Sequence, residues 1–360
     1  MNIFRKDLSS KPEIKITVPV KKYMMCLNES SINPLDILSD KIIEKLKQVE
    51  LNRYISDITQ ELKNKLAEYV GHDVKESQIL FGNGVDELLY FIFTAVRDYK
   101  TSFAVSLSPS YFDYKTYSGS VDLEMQFLNF NQDFNFSVED YIEKLNHPDC
   151  KLGIICNPNN PTGHLIPDKK IIHILQSTKK PVIIDETYFE FSGISFVDKI
   201  KEFPNIIILR SFSKSFSAAG LRFGYLISSE RNTQILNKVM PVFHCSILTQ
   251  AIALTLLENK ELFLENVHET IKQKDFVYNE MKDLGVNTSL QVYPSFTNFL
   301  IFSLRDKSTE FYEYLQTKDI SVRPVWNHPL LLNHLRVTIA NKESNLAFLT
   351  VLREFLKQEN

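Results

Sequence analysis

The chain has 360 residues, of which 44% are hydrophobic, and its formal net charge is −3. This length and apolar content can bury a large core and support one or two domains. The slightly acidic balance excludes the basic surface that nucleic-acid binding needs. The amino terminus lacks the apolar run of a signal peptide, and no stretch is apolar enough for a membrane span. We therefore expect a cytoplasmic protein without nucleic-acid or membrane partners.

Cysteine and histidine give no sign of a cross-link or a metal centre. The four cysteines have no paired spacing, and the eight histidines form no His-Glu-x-x-His arrangement. We therefore expect a reduced compartment, no disulfide and no metal site.

In chain order, the first predicted element is a charged helix from Asp40 to Glu50. Its apolar residues recur at helical spacing: Ile42, Ile43, Leu46 and Val49. We expect this face to pack against the protein rather than to bind a partner.

Strands then alternate with helices from about residue 50 to residue 240, which predicts a mainly parallel sheet covered on both faces. Three strands end in polar or glycine-containing segments. They are 78–81 before Gly82-Asn-Gly84-Val85-Asp86-Glu87, 152–156 before Asn157-Pro-Asn-Asn160-Pro161-Thr162-Gly163, and 181–185, which ends in Asp185 with Tyr188 three residues later. Ligands of open α/β sheets bind at the carboxyl ends of strands, so we expect one site there.

A fourth strand, 206–209, leads into Ser211-Phe-Ser213-Lys214, with Arg222 eight residues after the lysine. Partial desolvation at a strand end lowers the pKa of a lysine and makes its amine a nucleophile toward an aldehyde. Serine and arginine donors suit a phosphate. An aldehyde that carries a phosphate describes pyridoxal 5'-phosphate (PLP). A solvated lysine in a serine-rich turn is the alternative.

The remaining chain predicts a long helical stretch from Leu248 to about Leu284, followed by a smaller α+β unit. That unit has strands at 298–302, 320–322 and 335–339 and helices at 308–316 and from 342 onward. We expect a large domain at 50–245 and a small domain made of 1–49 and 246–360.

Other interpretations of these segments are open from the residues alone. Asp185 could cap the next turn, or serve as the acid of an ATPase strand. The ATPase interpretation needs a G-x-x-x-x-G-K-[ST] loop, which is absent. A G-x-G-x-x-G dinucleotide loop also fails, because its last position is Glu87. Asn157 competes with Asn160 as the functional amide.

Three motifs together resemble the class I/II aminotransferases, which are fold-type I PLP enzymes. They are Asn-Pro-Thr-Gly at 160–163, Asp-x-x-Tyr at 185–188 and Ser-x-Ser-Lys-(x)7-Arg at 211–222, in the family order. The resemblance covers nearly the whole chain. It implies an α/β fold with a mainly parallel seven-stranded sheet in the large domain, a smaller α+β domain, PLP as cofactor, and a homodimer.

The resemblance also assigns cofactor roles. It implies that Lys214 binds PLP covalently, that Asp185 faces the pyridine nitrogen, and that Tyr188 and Asn160 bind the ring's phenolic oxygen. Tyr111 matches the aromatic residue that stacks on the ring. The phosphate ligands are expected from Gly84, Val85, Asp86, Ser211, Ser213, Arg222 and the partner subunit's Tyr54, although Ile55 stands where a proline is common.

The substrate residues resemble those of histidinol-phosphate aminotransferases in particular. Arg336 matches the arginine that binds the substrate carboxylate, and Arg323 matches an arginine that contacts the substrate phosphate. Asn28 lies in a Leu-Asn-Glu segment similar to theirs, and Tyr23 is expected in the substrate wall. The resemblance implies transfer of an amino group between histidinol phosphate, or a related donor, and 2-oxoglutarate in histidine biosynthesis.

Other functions on the same scaffold stay open. An aromatic aminotransferase, a phosphothreonine decarboxylase or a PLP-dependent amino-acid oxidase would share the cofactor residues. The unusual stretch 324–328 leaves the side-chain pocket undefined. A transcription regulator with an aminotransferase-like domain would need a DNA-binding module ahead of the first motif, for which fewer than 50 residues are available.

Overall fold

The computed structural model describes residue 18 and residues 20–98 and 101–357. The first part of the expected small domain, with the amino terminus discussed above, therefore lies outside the described residues. Within them, no helix has the length and apolar character needed to cross a membrane.

The described residues contain short and medium-length strands. They are β1 (Tyr23–Met24), β2 (Ile79–Gly82), β3 (Phe103–Ser108), β4 (Glu124–Asn129), β5 (Cys150–Cys156), β6 (Val182–Asp185), β7 (Ile206–Ser211), β8 (Gly224–Ser228), β9 (Gln291–Val292), β10 (Phe299–Ser303), β11 (Ile320–Ser321), β12 (Arg323–Pro324) and β13 (His334–Thr338).

The α-helices alternate with these strands in the first part of the chain and dominate the middle. They are α1 (Pro34–Lys47), α2 (Asp57–Val70), α3 (Val85–Val96), α4 (Asp113–Ser120), α5 (Val138–Asn146), α6 (Asp168–Gln176), α7 (Phe189–Ser192), α8 (Glu230–Leu236), α9 (Ile247–Glu258), α10 (Lys260–Leu284), α11 (Ser308–Thr317) and α12 (Lys342–Lys357).

A seven-stranded sheet with the order β2-β8-β7-β6-β5-β3-β4 forms the centre of the larger part. The pairs between β7 and β4 are parallel, whereas β8 runs antiparallel to both β2 and β7. Strands β6 and β7 are buried along their whole length, as expected for a sheet covered by helices on both faces. The predicted fold class is confirmed.

The register of the central strands aligns their carboxyl ends. Cys156 pairs with Asp185, and Asp185 pairs with Leu209 on the next strand. The segments that follow β5, β6 and β7 consequently leave the sheet at the same edge.

The smaller α+β part contains a four-stranded antiparallel sheet with the order β12-β13-β10-β9, and β1 pairs in parallel with β11. Phe302, Phe311 and Phe348 are fully buried in its core. The pairing of Tyr23 with Ile320 joins the amino-terminal segment to this part.

The predicted boundaries at 49/50 and 245/246 stay a prediction. Leu38 and Ile42 of α1 belong to the same hydrophobic core as Leu254 of α9 and Ile208 of β7. This packing favours placing α1 and α9 with the larger part.

Two local expectations differ from the structure. Ile43 is 50% exposed and does not join the buried face of α1. The helix predicted from Asp40 to Glu50 is α1, which begins at Pro34 and ends at Lys47. The helical stretch predicted from Leu248 to about Leu284 is present as two helices, α9 and α10, separated at Asn259, where the backbone has φ −115° and ψ 30°.

Candidate active site

Lys214 lies in the turn after β7, at the edge where β5 and β6 also end. Its Nζ donates a hydrogen bond to the carbonyl oxygen of Leu27 at 3.0 Å. Burial of the amine, helped by the nearby Arg336, lowers the pKa of Lys214 to about 8. A larger fraction of this amine is therefore neutral near neutral pH than for an ordinary lysine.

Asp185 is a buried carboxylate at the end of β6. Tyr114 donates its hydroxyl to Oδ2 at 2.6 Å, and Thr187 donates its hydroxyl and its N–H to Oδ1 at 2.6 and 3.1 Å. Burial raises the pKa of Asp185, while these hydrogen bonds lower it. None of the three donors carries a charge, so a cationic ring nitrogen would stabilise the ionised form.

Tyr188 and Asn160 lie close to the segment that carries Asn28. The Asn28 amide donates to the hydroxyl oxygen of Tyr188 at 2.9 Å, and burial raises the pKa of Tyr188 to about 12. Asn160 Oδ1 accepts a hydrogen bond from Arg336 Nη1 at 2.7 Å. Asn28 is thus a partner of Tyr188 in this structure, a role that the sequence prediction did not include.

The alternative amide, Asn157, is engaged in its own loop. Its Oδ1 accepts the N–H of Ile166 at 2.8 Å. Its Nδ2 is buried and has no hydrogen-bond partner, so the choice of Asn160 as the functional amide stays a prediction.

Gly84, Asp86, Tyr111 and Arg222 converge at the start of α3. Gly84 precedes the helix with φ +85°, and a Cβ there would lie 2.6 Å from Arg222 Nη2. The carboxylate of Asp86 accepts hydrogen bonds from Tyr111 at 3.1 Å and from Arg222 at 2.7 Å. Arg222 itself has φ 57°, which is uncommon outside glycine.

This arrangement has the properties of an anion-binding site. The first N–H groups of a helix lack partners within that helix and carry partial positive charge, and Val85 is the first helical residue. Ser211, at the end of β7, and Ser213, in the turn that follows, are buried. Gly224 on β8 lets the sheet approach α3, since a Cβ there would lie 2.6 Å from the N atom of Val85.

Arg336 and Arg323 lie opposite each other in the antiparallel register of β12 and β13. Directly opposite residues point to the same face of a sheet. Arg336 is buried, its Nη2 donates to the carbonyl oxygen of Cys26 at 3.0 Å, and its Nε has no hydrogen-bond partner. Arg323 is exposed. A buried guanidinium with an unused donor fits an anionic ligand.

Two residues predicted for the site, Tyr54 and Tyr23, contact other side chains of the same chain. Tyr54 is 81% exposed and stacks on Phe243 at a centroid distance of 4.7 Å. The Tyr23 hydroxyl donates to Glu343 Oε1 at 3.1 Å. Their proposed roles stay predictions.

Sequence reasoning missed Tyr114, Thr187 and Gly224. Tyr114 follows Tyr111 by three residues across the turn that leads into α4, and the two rings lie edge to face at a centroid distance of 5.3 Å. That spacing could have indicated a second aromatic side chain directed toward the site.

The arrangement as a whole, with a lysine at a strand end, a buried carboxylate and an anion site, defines an enzyme of the PLP-dependent transferase type. Residues 21–349 match the family model for aminotransferase class I and II, and the chain belongs to this family. It is 31% identical to a histidinol-phosphate aminotransferase of Clostridium novyi over 98% of this chain and 96% of that protein. It is 33% identical to one from Pyrococcus furiosus, over 92% and 91%.

The fold agrees with this membership. The structure of histidinol-phosphate aminotransferase from Sinorhizobium meliloti in complex with pyridoxal-5'-phosphate superposes with a TM-score of 0.86 at 20% identity, covering 100% of this chain and 99% of that one. The chain is thus a PLP-dependent aminotransferase, and its small-molecule substrates follow from that class.

We predict that Gly84→Ala weakens PLP binding. Both the backbone conformation and the contact with Arg222 oppose a Cβ at this position. The free energy of unfolding should fall by about 1–3 kcal/mol from backbone strain, and the PLP dissociation constant should rise. Chemical denaturation and cofactor titration measure the two effects.

Gly71→Ala is the matched control for this substitution. Gly71 has φ +69° but no atom within 4 Å of an added Cβ. It should lose stability in the same way without a change in PLP affinity. Equal affinities in the two variants would contradict the role of Gly84 in the anion site.

Proposed function

We propose that this protein transfers the amino group of histidinol phosphate to 2-oxoglutarate, with PLP held at Lys214, as a step of histidine biosynthesis. Full-length similarity to histidinol-phosphate aminotransferases supports the substrate. The observation that carries the proposal is the pairing of two arginines, Arg323 and Arg336, on one face of the small sheet. The cytoplasmic location expected from the sequence belongs to the same proposal.

The residues around Lys214 fit PLP. The buried carboxylate of Asp185 lacks a charged partner among its hydrogen-bond donors and would hold a proton on the ring nitrogen. Tyr188 and Asn160 would bind the phenolic oxygen, and Tyr111 would stack on the ring. Arg222, with the first N–H groups of α3, would bind the phosphate.

PLP, when bound, supplies an aldehyde for the amino group and a ring that withdraws electrons from the substrate Cα. The lysine amine would move a proton at Cα, because its pKa of about 8 lets Nζ act as a base and as an acid near neutral pH. Burial at this edge of the sheet would keep water from competing for that proton.

The two arginines would serve the two halves of the reaction in turn. Histidinol phosphate carries a phosphate and no carboxylate, whereas 2-oxoglutarate carries two carboxylates. Arg336, with an unused buried donor, would bind one anionic group, and the exposed Arg323 would bind another. An acceptor with two charges and a donor with one phosphate can then use the same pocket.

An exposed apolar surface supports a homodimer. Five large apolar or aromatic side chains are between 55% and 84% exposed: Leu51, Tyr54, Ile55, Val242 and Phe243. Tyr54 stacks on Phe243. Exposed large apolar side chains that lie together, as Tyr54 and Phe243 do, favour a protein interface. In the dimer, Tyr54 would reach the phosphate site of the partner subunit.

We expect borohydride reduction of the yellow holoenzyme to attach the cofactor to a peptide that contains Lys214. Lys214→Ala should abolish this attachment and the proton movement at Cα, because the variant lacks the amine. Peptide mass spectrometry identifies the modified residue. Attachment at a different lysine would contradict the assignment.

Arg323→Ala should impair phosphorylated donors far more than unphosphorylated aromatic ones. Loss of one charge-assisted contact costs about 1.5–3 kcal/mol, or roughly tenfold to a hundredfold in binding. Steady-state kcat/KM with histidinol phosphate and with an aromatic amino acid measures the difference.

Arg231→Ala, which changes an exposed arginine on α8, is the surface control. Equal losses for both donors, or no turnover of histidinol phosphate by the wild type, would favour an aromatic or broader aminotransferase.

Mixing Tyr54→Ala subunits with Lys214→Ala subunits should restore activity if the site is shared. Each mixed dimer would contain one complete site, made of Lys214 from one subunit and Tyr54 from the other. Activity after unfolding and refolding the mixture is the measurement. A fully active monomer at high dilution would refute the shared site.

A further inference from the structure

A cluster of polar groups around a buried ion pair lies beside the proposed cofactor residues and has no part in the chemistry above. We call it the ionic cluster; it consists of Glu186, Glu190, Arg210, Ser195 and Tyr69. Arg210 donates from Nε and Nη2 to Glu186 Oε2 at 3.1 and 3.0 Å, and from Nη2 to Ser195 Oγ at 2.7 Å. The side chains of Arg210 and Glu186 are 4% and 0% exposed.

The remaining contacts enclose the arginine. The Arg210 guanidinium lies 3.5 Å from the centroid of the Phe189 ring. Glu186 also accepts the Ser195 hydroxyl at 2.9 Å and the N–H of Phe196 at 2.6 Å. The Tyr69 hydroxyl donates to Glu190 Oε1 at 3.2 Å. Arg210 thereby connects the ends of β6 and β7 to α7.

Each segment of this cluster borders a proposed cofactor residue in the chain. Glu186 follows Asp185, Phe189 follows Tyr188, and Arg210 precedes Ser211. Ser215, which also faces Glu190, follows Lys214. Successive residues of an extended strand point to opposite faces, so contacts on one face set the backbone that aims the side chains on the other.

Stability alone is a weak reason for this arrangement. Removing water from two buried charged groups costs about as much free energy as their attraction provides. Well-packed apolar residues therefore often replace a buried ion pair without loss of stability. Buried networks whose groups are all bonded restrict the geometry of the segments that they join. The location next to four cofactor residues therefore indicates a role in geometry.

We propose that Arg210 is a positioning residue, which holds the segments that carry Asp185, Tyr188, Ser211 and Lys214 in the arrangement that binds the cofactor. This inference rests on the proposed function, because the positioned residues are the ones assigned to PLP. Arg210 acts through its contacts with Glu186, Ser195 and Phe189, and touches neither cofactor nor substrate.

Glu190 adds a dependence on pH. Burial raises the pKa of Glu190 to about 7, although the nearby Arg210 and the hydrogen bond from Tyr69 lower it. Tyr225 of β8 also lies near Glu190. A raised carboxyl pKa contributes stability that is complete below the unfolded pKa and is lost as pH rises through about 7. Above that pH a second carboxylate competes with Glu186 for Arg210.

The test compares Arg210→Met, Glu186→Met and the double variant Glu186→Met/Arg210→Met. Each single variant leaves one buried charge unpaired and should lose stability. The double variant should regain the melting temperature of the wild type. Its PLP dissociation constant should stay raised by roughly tenfold to a hundredfold, the effect of small misplacements in a site. Arg353→Met, which removes a partner of Glu280 in the small domain, should bind PLP like the wild type.

Amide hydrogen exchange of the protein without added PLP gives an independent readout. Segments 185–190 and 211–215 should exchange faster in the double variant than in the wild type. A double variant that regains both stability and PLP affinity, or unchanged exchange in these segments, would overturn the positioning role. A wild type that binds no PLP would overturn the proposed function, while exchange would still decide the role of Arg210.

Discussion

The parallel register of β5, β6 and β7 is the constraint on which the site depends. Hydrogen bonds between these strands align Cys156 with Asp185 and Asp185 with Leu209. The polar segments at these strand ends, which carry Asp185 and Lys214, must then leave at one edge. β8 returns antiparallel to β7, which places Gly224 against the first turn of α3 and brings Arg222 to Gly84.

Burial shifts the pKa values of the ionisable groups that lie near this edge of the sheet. Burial lowers the pKa of Lys214 and of Arg336 and raises that of Asp185. Lys214 and Arg336 also repel each other, which adds to the lowered pKa of the lysine. PLP with a cationic ring nitrogen, together with a substrate that carries an anionic group, would relieve these costs, because the nitrogen would meet Asp185 and the anionic group would meet Arg336.

Hydrogen bonds connect the amino-terminal segment and the small sheet to loops of the larger part of the molecule. Asn28 donates to Tyr188 and bonds Thr338, while Arg336 donates to Asn160 and to Cys26. The amino-terminal segment, the small sheet and the loop after β5 thus meet beside the cofactor residues. The substrate contacts proposed for Arg336 would in this way be coupled directly to the residues that would hold the ring.

The motifs at the strand ends could be recognised without coordinates, because a lysine, an acid and an Asn-Pro-Thr-Gly turn each follow an apolar run that predicts a strand. The order of those runs also indicated the parallel sheet. The partners of these residues required the tertiary structure: Tyr114 on Asp185, Asp86 between Tyr111 and Arg222, and Arg210 with Glu186. They are distant in the chain, and only packing brings them together. Local sequence determines which residues end each strand, whereas the register and the burial of charge decide what each of them contacts.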